Sequence, residues 1–312
     1  MLKKLLLTAA VVLATTPVLA DTVRLVVPYS AGGPMDQIAR IIAPALQTTL
    51  GATVVVENVP GAGGLIGMGT VAKATPDGKT LVITGQGHVL SSLTQKANLT
   101  FDPLKSFTQI ALVGKMPAML VAGKHLGVKR LPELIALAKT KTLHYGSSGV
   151  GNSPHLAGEM INEQAGVKMV HVPYAGVGPV VADIVAGNVD IVVADLPVVV
   201  PFVKSGDLIA ISNFGDERTD VLPDVPTSGE QGYPNLITGN YYYIFGPTGM
   251  TDETRTKVET AVLTALKQPA TAERLTAAGV KDPANGVALL TLLESEFRKW
   301  EPMVERLGLS GG

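Results

Sequence analysis

Short apolar runs alternate along this chain with glycine-rich turns and with stretches whose apolar residues recur three and four positions apart. Val23–Val27 is apolar apart from Arg24 and predicts a strand. It runs into Pro28-Tyr29-Ser30-Ala31-Gly32-Gly33-Pro34, a turn by composition. A helix is predicted from about Met35-Asp36, with Ile38, Ile41, Ile42, Ala45 and Leu46 on one face, and Pro44 is expected to kink it. Thr53–Glu57 reads as the next strand, and Pro60–Gly64 as a second glycine loop before a helix at Ile66–Ala74. Thr80–Thr84 is a third strand, followed by Gly85-Gln86-Gly87. The rhythm returns with strands at Leu143–Tyr145, Met169–Val172 and Val189–Val193, the last ending at Asp195. A helix is expected from Ser153-Pro154, with Ser153 as its N-cap and Pro154 in first position. Such alternation implies an α/β architecture with parallel sheets and helices on both faces.

Residues 27–34 read VPYSAGGP and residues 172–179 read VPYAGVGP. The echo is short enough for chance. Its sharper reading is two lobes of like architecture, each presenting a strand-loop-helix turn to a shared cleft.

Composition removes several function classes. At 46% hydrophobic and 16% charged residues, the 312-residue chain has the means to bury cores and lacks the profile of disorder. Near balance between 25 basic and 26 acidic residues gives no basic face for nucleic acid. The absence of cysteine excludes disulfides, thiolate metal sites, a cysteine nucleophile and an N-terminal lipidated cysteine. Lys3-Lys4, the apolar stretch Leu5–Leu19 and the small residues Val18-Leu19-Ala20 have the pattern of a signal peptide over residues 1–20, cleaved after Ala20. The stretch is shorter than the ~20 residues a membrane span needs. An exported protein, periplasmic and monomeric, is the expectation.

Catalytic and cofactor motifs fail where tested. The phosphate-loop ending Gly78-Lys79-Thr80 has Lys73 where its first glycine should stand. Gly61-Ala62-Gly63-Gly64-Leu65-Ile66 lacks the third glycine of a dinucleotide fingerprint, and Gly146-Ser147-Ser148-Gly149-Val150 lacks the last glycine of a nucleophile elbow. His88, His125, His144, His155 and His171 form no i, i+4 metal pair and read as scattered surface or core-edge residues. No cofactor or metal is expected. A triad assembled from distant residues stays open, because triads are defined by geometry rather than by sequence order.

What remains is the set of glycine-rich loops at the ends of strands. In open α/β sheets, ligands bind in that crevice. Loops 28–34 and 146–153 contain no Lys or Arg. An anion there would be held by backbone amides, hydroxyls and helix N-termini. Tyr29, Ser30, Ala31, Gly32 and Gly33 are therefore candidates to hold an anion from one side. Ser147, Ser148, Gly149, Val150, Gly151, Asn152 and Ser153 are candidates to close over it from the other. Tyr174, Ala175, Gly176 and Asp195 follow strands in the same way and are secondary candidates, Asp195 having a helix cap as its ordinary alternative.

Taken in order, VPYSAGGPMD at 27–36, VENVPGAGG at 56–64, PDGKTL at 76–81, YGSSG at 145–149, HLAGE at 155–159, HVPYAG at 171–176 and LPDVPT at 222–227 resemble the Bug/TctC family of periplasmic solute-binding proteins. The resemblance covers nearly all of the chain after residue 20. It departs at Val59, at Pro34-Met35 and at Tyr241-Tyr242-Tyr243, two of these bordering the expected cleft. It implies a two-lobed periplasmic-binding-protein fold of type II: two open sheets with flanking helices and a ligand cleft at a hinge. Lobe one would comprise 21–112 plus 246–290, lobe two 113–245, and a last helix at 286–307 would pack across the hinge. Crossovers are expected near Leu112–Gly123 and Asn240–Gly246. Gln86 and His155 join the candidate ligand-binding set on this basis. The implied function is capture of an organic carboxylate and its delivery to the membrane subunits of a tripartite tricarboxylate transporter. Presentation to a sensor kinase, or an exported hydrolase, are the alternatives. Met35, Val150 and the tyrosines at 241–243 favour a dicarboxylate or aromatic carboxylate with an apolar body over citrate or a small hydroxy acid.

Overall fold

The computed structural model describes residues 21–310; the signal-peptide expectation for 1–20 lies outside them. Strand β1 (Thr22–Val27) leads through the first glycine loop to helix α1 (Pro34–Leu50), then β2 (Thr53–Asn58), α2 (Leu65–Ala72), β3 (Thr80–Gly85) and α3 (Gln86–Thr94). A 17-residue strand, β4 (Phe107–Gly123), carries the chain out of this unit. The second unit comprises α4 (Leu131–Ala138), β5 (His144–Ser147), α5 (Ser153–Ala165), β6 (Val170–Pro173), α6 (Val177–Ala186), β7 (Ile191–Asp195), α7 (Leu196–Lys204) and β8 (Leu208–Asn213). Strand β9 (Gly239–Pro247) returns the chain to the first unit. There α8 (Asp252–Lys267), α9 (Pro269–Ala277), the short β10 (Ala284–Asn285) and the long α10 (Gly286–Arg306) complete it.

The strand order is β2-β1-β3-β9-β4-β7-β5-β6, with β10 and β8 also paired to β4. Each lobe has a parallel core, β2-β1-β3 in one and β6-β5-β7 in the other. The sheets are not purely parallel, as the alternation of elements had suggested. Strands β4, β8, β9 and β10 pair antiparallel, because the chain crosses between lobes along extended segments instead of through helices. The two cores have the same order, so β5 is the counterpart of β1. The VPY echo instead joins β1 to the edge strand β6, and so does not mark equivalent elements.

The seam between the sheets runs through β4. Residues up to Pro117 pair with β9, whereas Ala118 onward pair with β7 and β8. The whole of β9 is bonded into the first sheet, beside β3 and β4. Residues 113–117 and 239–245, read from sequence as part of the second lobe, therefore belong to the first sheet. Their nonlocal pairing gives no local signal. The second crossing falls at Thr238, whose carbonyl accepts from Ala118 N and whose amide donates to Phe214 O.

Both faces of the sheets are covered, which is why these strands read as continuous apolar runs. Val23, Leu25 and Val27 of β1 pack in one layer with residues of α1, α6, α7, α8 and α9. Val26 faces the opposite layer, built from α2, α3, α4, α5 and α10. Helix α1 runs unbroken through Pro44; the expected kink does not interrupt it. Among the described residues no helix is long and apolar enough to cross a membrane.

Candidate functional site

A cavity of about 560 Å³ lies at the seam between the two lobes. The C-terminal ends of the parallel strands supply much of its wall, because that is where each strand hands the chain to a helix. Gly33, Pro34 and Met35 open α1; Gly87 lies in the first turn of α3; Asn152, Ser153 and Pro154 open α5; Val177 opens α6; Asp195 precedes α7. Five helix N-termini thus converge on one space. Their free amides and positive dipole ends favour an anion. No Lys or Arg lines the cavity.

The first loop is fixed by one carboxylate. Asp36, buried in the first turn of α1, accepts from Gly32 N at 2.9 Å and from Arg40 Nε at 3.0 Å through Oδ2. Its Oδ1 accepts from Asn58 Nδ2 at 3.1 Å, and the same amide donates to Tyr29 O. The Arg40 hydrogen bond, aided by the Gly32 amide and Asn58, pulls the Asp36 carboxyl down to about 2 against the opposing effect of burial. The ring of Tyr29 lies against Gly64 and Gly87, and a Cβ on Gly87 would stand 2.4 Å from its hydroxyl. A side chain at Gly87 would therefore push the Tyr29 hydroxyl from its place.

The second loop is shaped from beneath. His155 accepts from Gly151 N at 3.0 Å through Nδ1 and stacks on His171 with centroids 4.0 Å apart, and both rings stack with Tyr145. Burial, then the neighbouring His155, lowers His171 to about 4, and burial lowers His155. Ser147 Oγ lies 2.6 Å from His171 Nε2. That pair has the reach of a nucleophile and base. Ser147, however, is fully buried and its hydroxyl is engaged within the loop, donating to Gly149 O and accepting from Gly149 N. The helix cap is Asn152, not Ser153. Its side chain accepts from His155 N, with Ser153 and Pro154 in the first two helical positions.

Of the sequence candidates, the cavity wall brings together Tyr29, Gly33, Ser148, Val150, Gly151, Asn152, Ser153 and Asp195. Ser30, Ala31 and Gly32 are exposed and do not line it. Gln86, Ser147 and His155 are buried and also off the wall; Gln86 Nε2 reaches Thr238 Oγ1 at the second crossing. Gly149, Tyr174, Ala175 and Gly176 stand outside it as well, the Tyr174 hydroxyl donating to Asp183 at 2.6 Å. Of the three tyrosines on β9, Tyr242 alone lines the cavity. Tyr241 and Tyr243 bond to Glu296 and to Gly85 O, in keeping with the period of two along a strand. Sequence reasoning missed Leu90, Ser91 and Thr94, which with Gly87 form one face of α3, and also Asn240, Val193 and Val198. The i, i+3, i+4, i+7 spacing of the α3 set is visible in the sequence. Only the fold shows that the face it marks belongs to the cleft.

Two α/β lobes with opposed βα turns around a shared cleft define the fold of the periplasmic binding proteins. The chain belongs to the tripartite tricarboxylate transporter family receptor group, TctC, whose profile matches residues 38–309. It is similar to the periplasmic binding protein BugD, at 30% identity and TM-score 0.76, covering 93% of this chain and 98% of that one. It is similar to MatC of Rhodopseudomonas palustris with bound malate, at 34% identity and TM-score 0.75, covering 91% and 98%. A third similar structure is Rpa4515 of R. palustris with adipate, at 29% identity and TM-score 0.78, covering 92% and 97%.

Proposed function

We propose that this protein is a periplasmic solute-binding protein that captures an organic carboxylate between its lobes and delivers it to the membrane subunits of a tripartite transporter. The observation that carries the reading is the convergence of five helix N-termini on a cavity without cationic side chains. Such a site holds a carboxylate through amides and hydroxyls while the apolar wall takes the rest of the ligand. Met35, Val150, Val177, Val198 and Tyr242 supply that wall and favour a ligand with an apolar body. The malate and adipate in the similar structures are both carboxylates. The antiparallel crossings at Pro117–Ala118 and Thr238–Gly239 are the hinge about which the lobes close.

The test is a thermal-shift screen of residues 21–312 against mono-, di- and tricarboxylates, aliphatic and aromatic. A ligand at 100 times its Kd adds ~2.7 kcal/mol, a melting shift of several degrees. The bound ligand is recovered and weighed afterwards. Recovery unchanged supports transport. Conversion to product, or no shift with any carboxylate, overturns the reading.

A further inference from the structure

The cavity wall contains a single charged side chain, and it is negative. Asp195 ends β7 and occupies the N-cap position of α7. An Asp in that position ordinarily accepts from an amide in the first turn of its helix. Asp195 makes no such bond. Its Oδ2 accepts instead from Asn240 Nδ2 at 2.6 Å, and Asn240 comes from β9 in the other sheet and also lines the cavity. Oδ1 has no hydrogen-bond partner among the described residues. The carboxylate is thus turned from its own helix, braced across the seam and left with one oxygen for whatever enters the cleft. Its ordinary structural use, capping α7, is absent.

Around it stand Val193, Ala194, Val198 and Tyr242. Burial among them raises the Asp195 carboxyl to about 6, so it is ionised at neutral pH. A second ionised carboxylate brought to this end would meet like charge in an apolar wall, with no cation among the lining residues to offset it. An ammonium or hydroxyl would give the free oxygen the donor it lacks. We infer that the ligand of this cleft carries a hydrogen-bond donor, ammonium or hydroxyl, at the end that meets Asp195, with its carboxylate among the helix N-termini. This rests on the carboxylate reading above and narrows it. It separates a donor-bearing acid from the plain dicarboxylates favoured by the loops alone.

The experiment compares linear acids of matched length by calorimetry at neutral pH. The ω-amino acids 4-aminobutyrate, 5-aminovalerate and 6-aminohexanoate, with their ω-hydroxy counterparts, are set against succinate, glutarate and adipate. At the chain length that fits, a donor-bearing acid should bind at least tenfold more tightly than the dicarboxylate. Asp195→Asn keeps the shape and the Asn240 bond, and should erase or reverse that preference. Dicarboxylates binding as tightly as the donor-bearing acids in the unaltered protein would overturn the inference and leave the carboxylate function standing. A preference that survives Asp195→Asn would also overturn it. If none of these acids, and none in the wider screen, binds at all, both readings fall.

Discussion

Replacing Asp36 by Asn tests whether one buried carboxylate holds the first binding loop in shape. The side chain is 4% exposed and accepts from Gly32 N, Arg40 Nε and Asn58 Nδ2. Asn has nearly the same shape but no charge, and its NH₂ must face one of those donors. The magnitude follows from the depressed carboxyl. A fall from 3.8 to about 2 corresponds to ~2.4 kcal/mol at 1.36 kcal/mol per unit. Arg40 is half exposed, which screens its share and leaves about 2 kcal/mol. The sign is fixed by the folded-state value lying below the unfolded one. The stabilisation is complete well above pH 4, about half remains near pH 3, and it is lost as pH falls through about 2. Urea unfolding followed by the fluorescence of Trp300, the sole tryptophan and fully buried, measures this directly. At pH 7 the variant should be less stable by about 2 kcal/mol, and the gap should shrink by roughly half at pH 3. A gap below ~0.5 kcal/mol at pH 7, within the range of an ordinary surface substitution, would refute the reasoning. So would an undiminished gap at pH 3.

Three further outcomes follow from the same geometry. Gly149→Val forces a β-branched residue into φ +131° and sets its Cβ 3.3 Å from Asn152 Nδ2; affinity for the best carboxylate of the screen should fall at least tenfold with little change in melting temperature, and unchanged affinity would remove this loop from the site. Gly87→Ala places a methyl 2.4 Å from the Tyr29 hydroxyl; binding should weaken as Tyr29 is displaced, and titration calorimetry showing the original Kd would refute the packing argument. Closure about the two crossings should reduce the radius of gyration in small-angle scattering when a tight-binding carboxylate is saturating; an unchanged scattering curve with binding confirmed would remove the hinge.

The elements that could be read from sequence were those whose signal is local. Runs such as Val23–Val27 and Thr80–Thr84 match β1 and β3 to within a residue at each end, because burial on both faces leaves no polar alternation to confuse them. The loop after β1 was visible because Gly and Pro mark turns wherever they cluster. Strand β4 was not. A crossover was expected within Leu112–Gly123 from the resemblance, but the 17 residues of one strand serving two sheets, with the change of partner at Pro117, depend on nonlocal pairing. The cap of α5 went to Asn152 because both Asn152 and Ser153 have capping side chains, and the order of two capable residues is settled by loop geometry. Asp195 was visible as a residue after a strand, but its freedom from the cap depends on Asn240, forty-five positions away.

The position of the cleft follows from chain direction more than from any motif. In each lobe the parallel strands run toward the seam, so their C-terminal ends, and the helix N-termini that follow, face one another across it. Strand β4 passes the seam as an extended segment, and β9, which starts just after the second crossing at Thr238, pairs antiparallel to it. On the proposed function, an anion attracted by one lobe's amides would be met by the other's, and closing the hinge would add the second set of donors without bringing up a second set of charges. A site built this way binds through dipoles fixed by the fold, which need no side chain to reorganise on binding. Discrimination among carboxylates would then fall to the few side chains that depart from the pattern, and on this wall the one that departs in charge is Asp195.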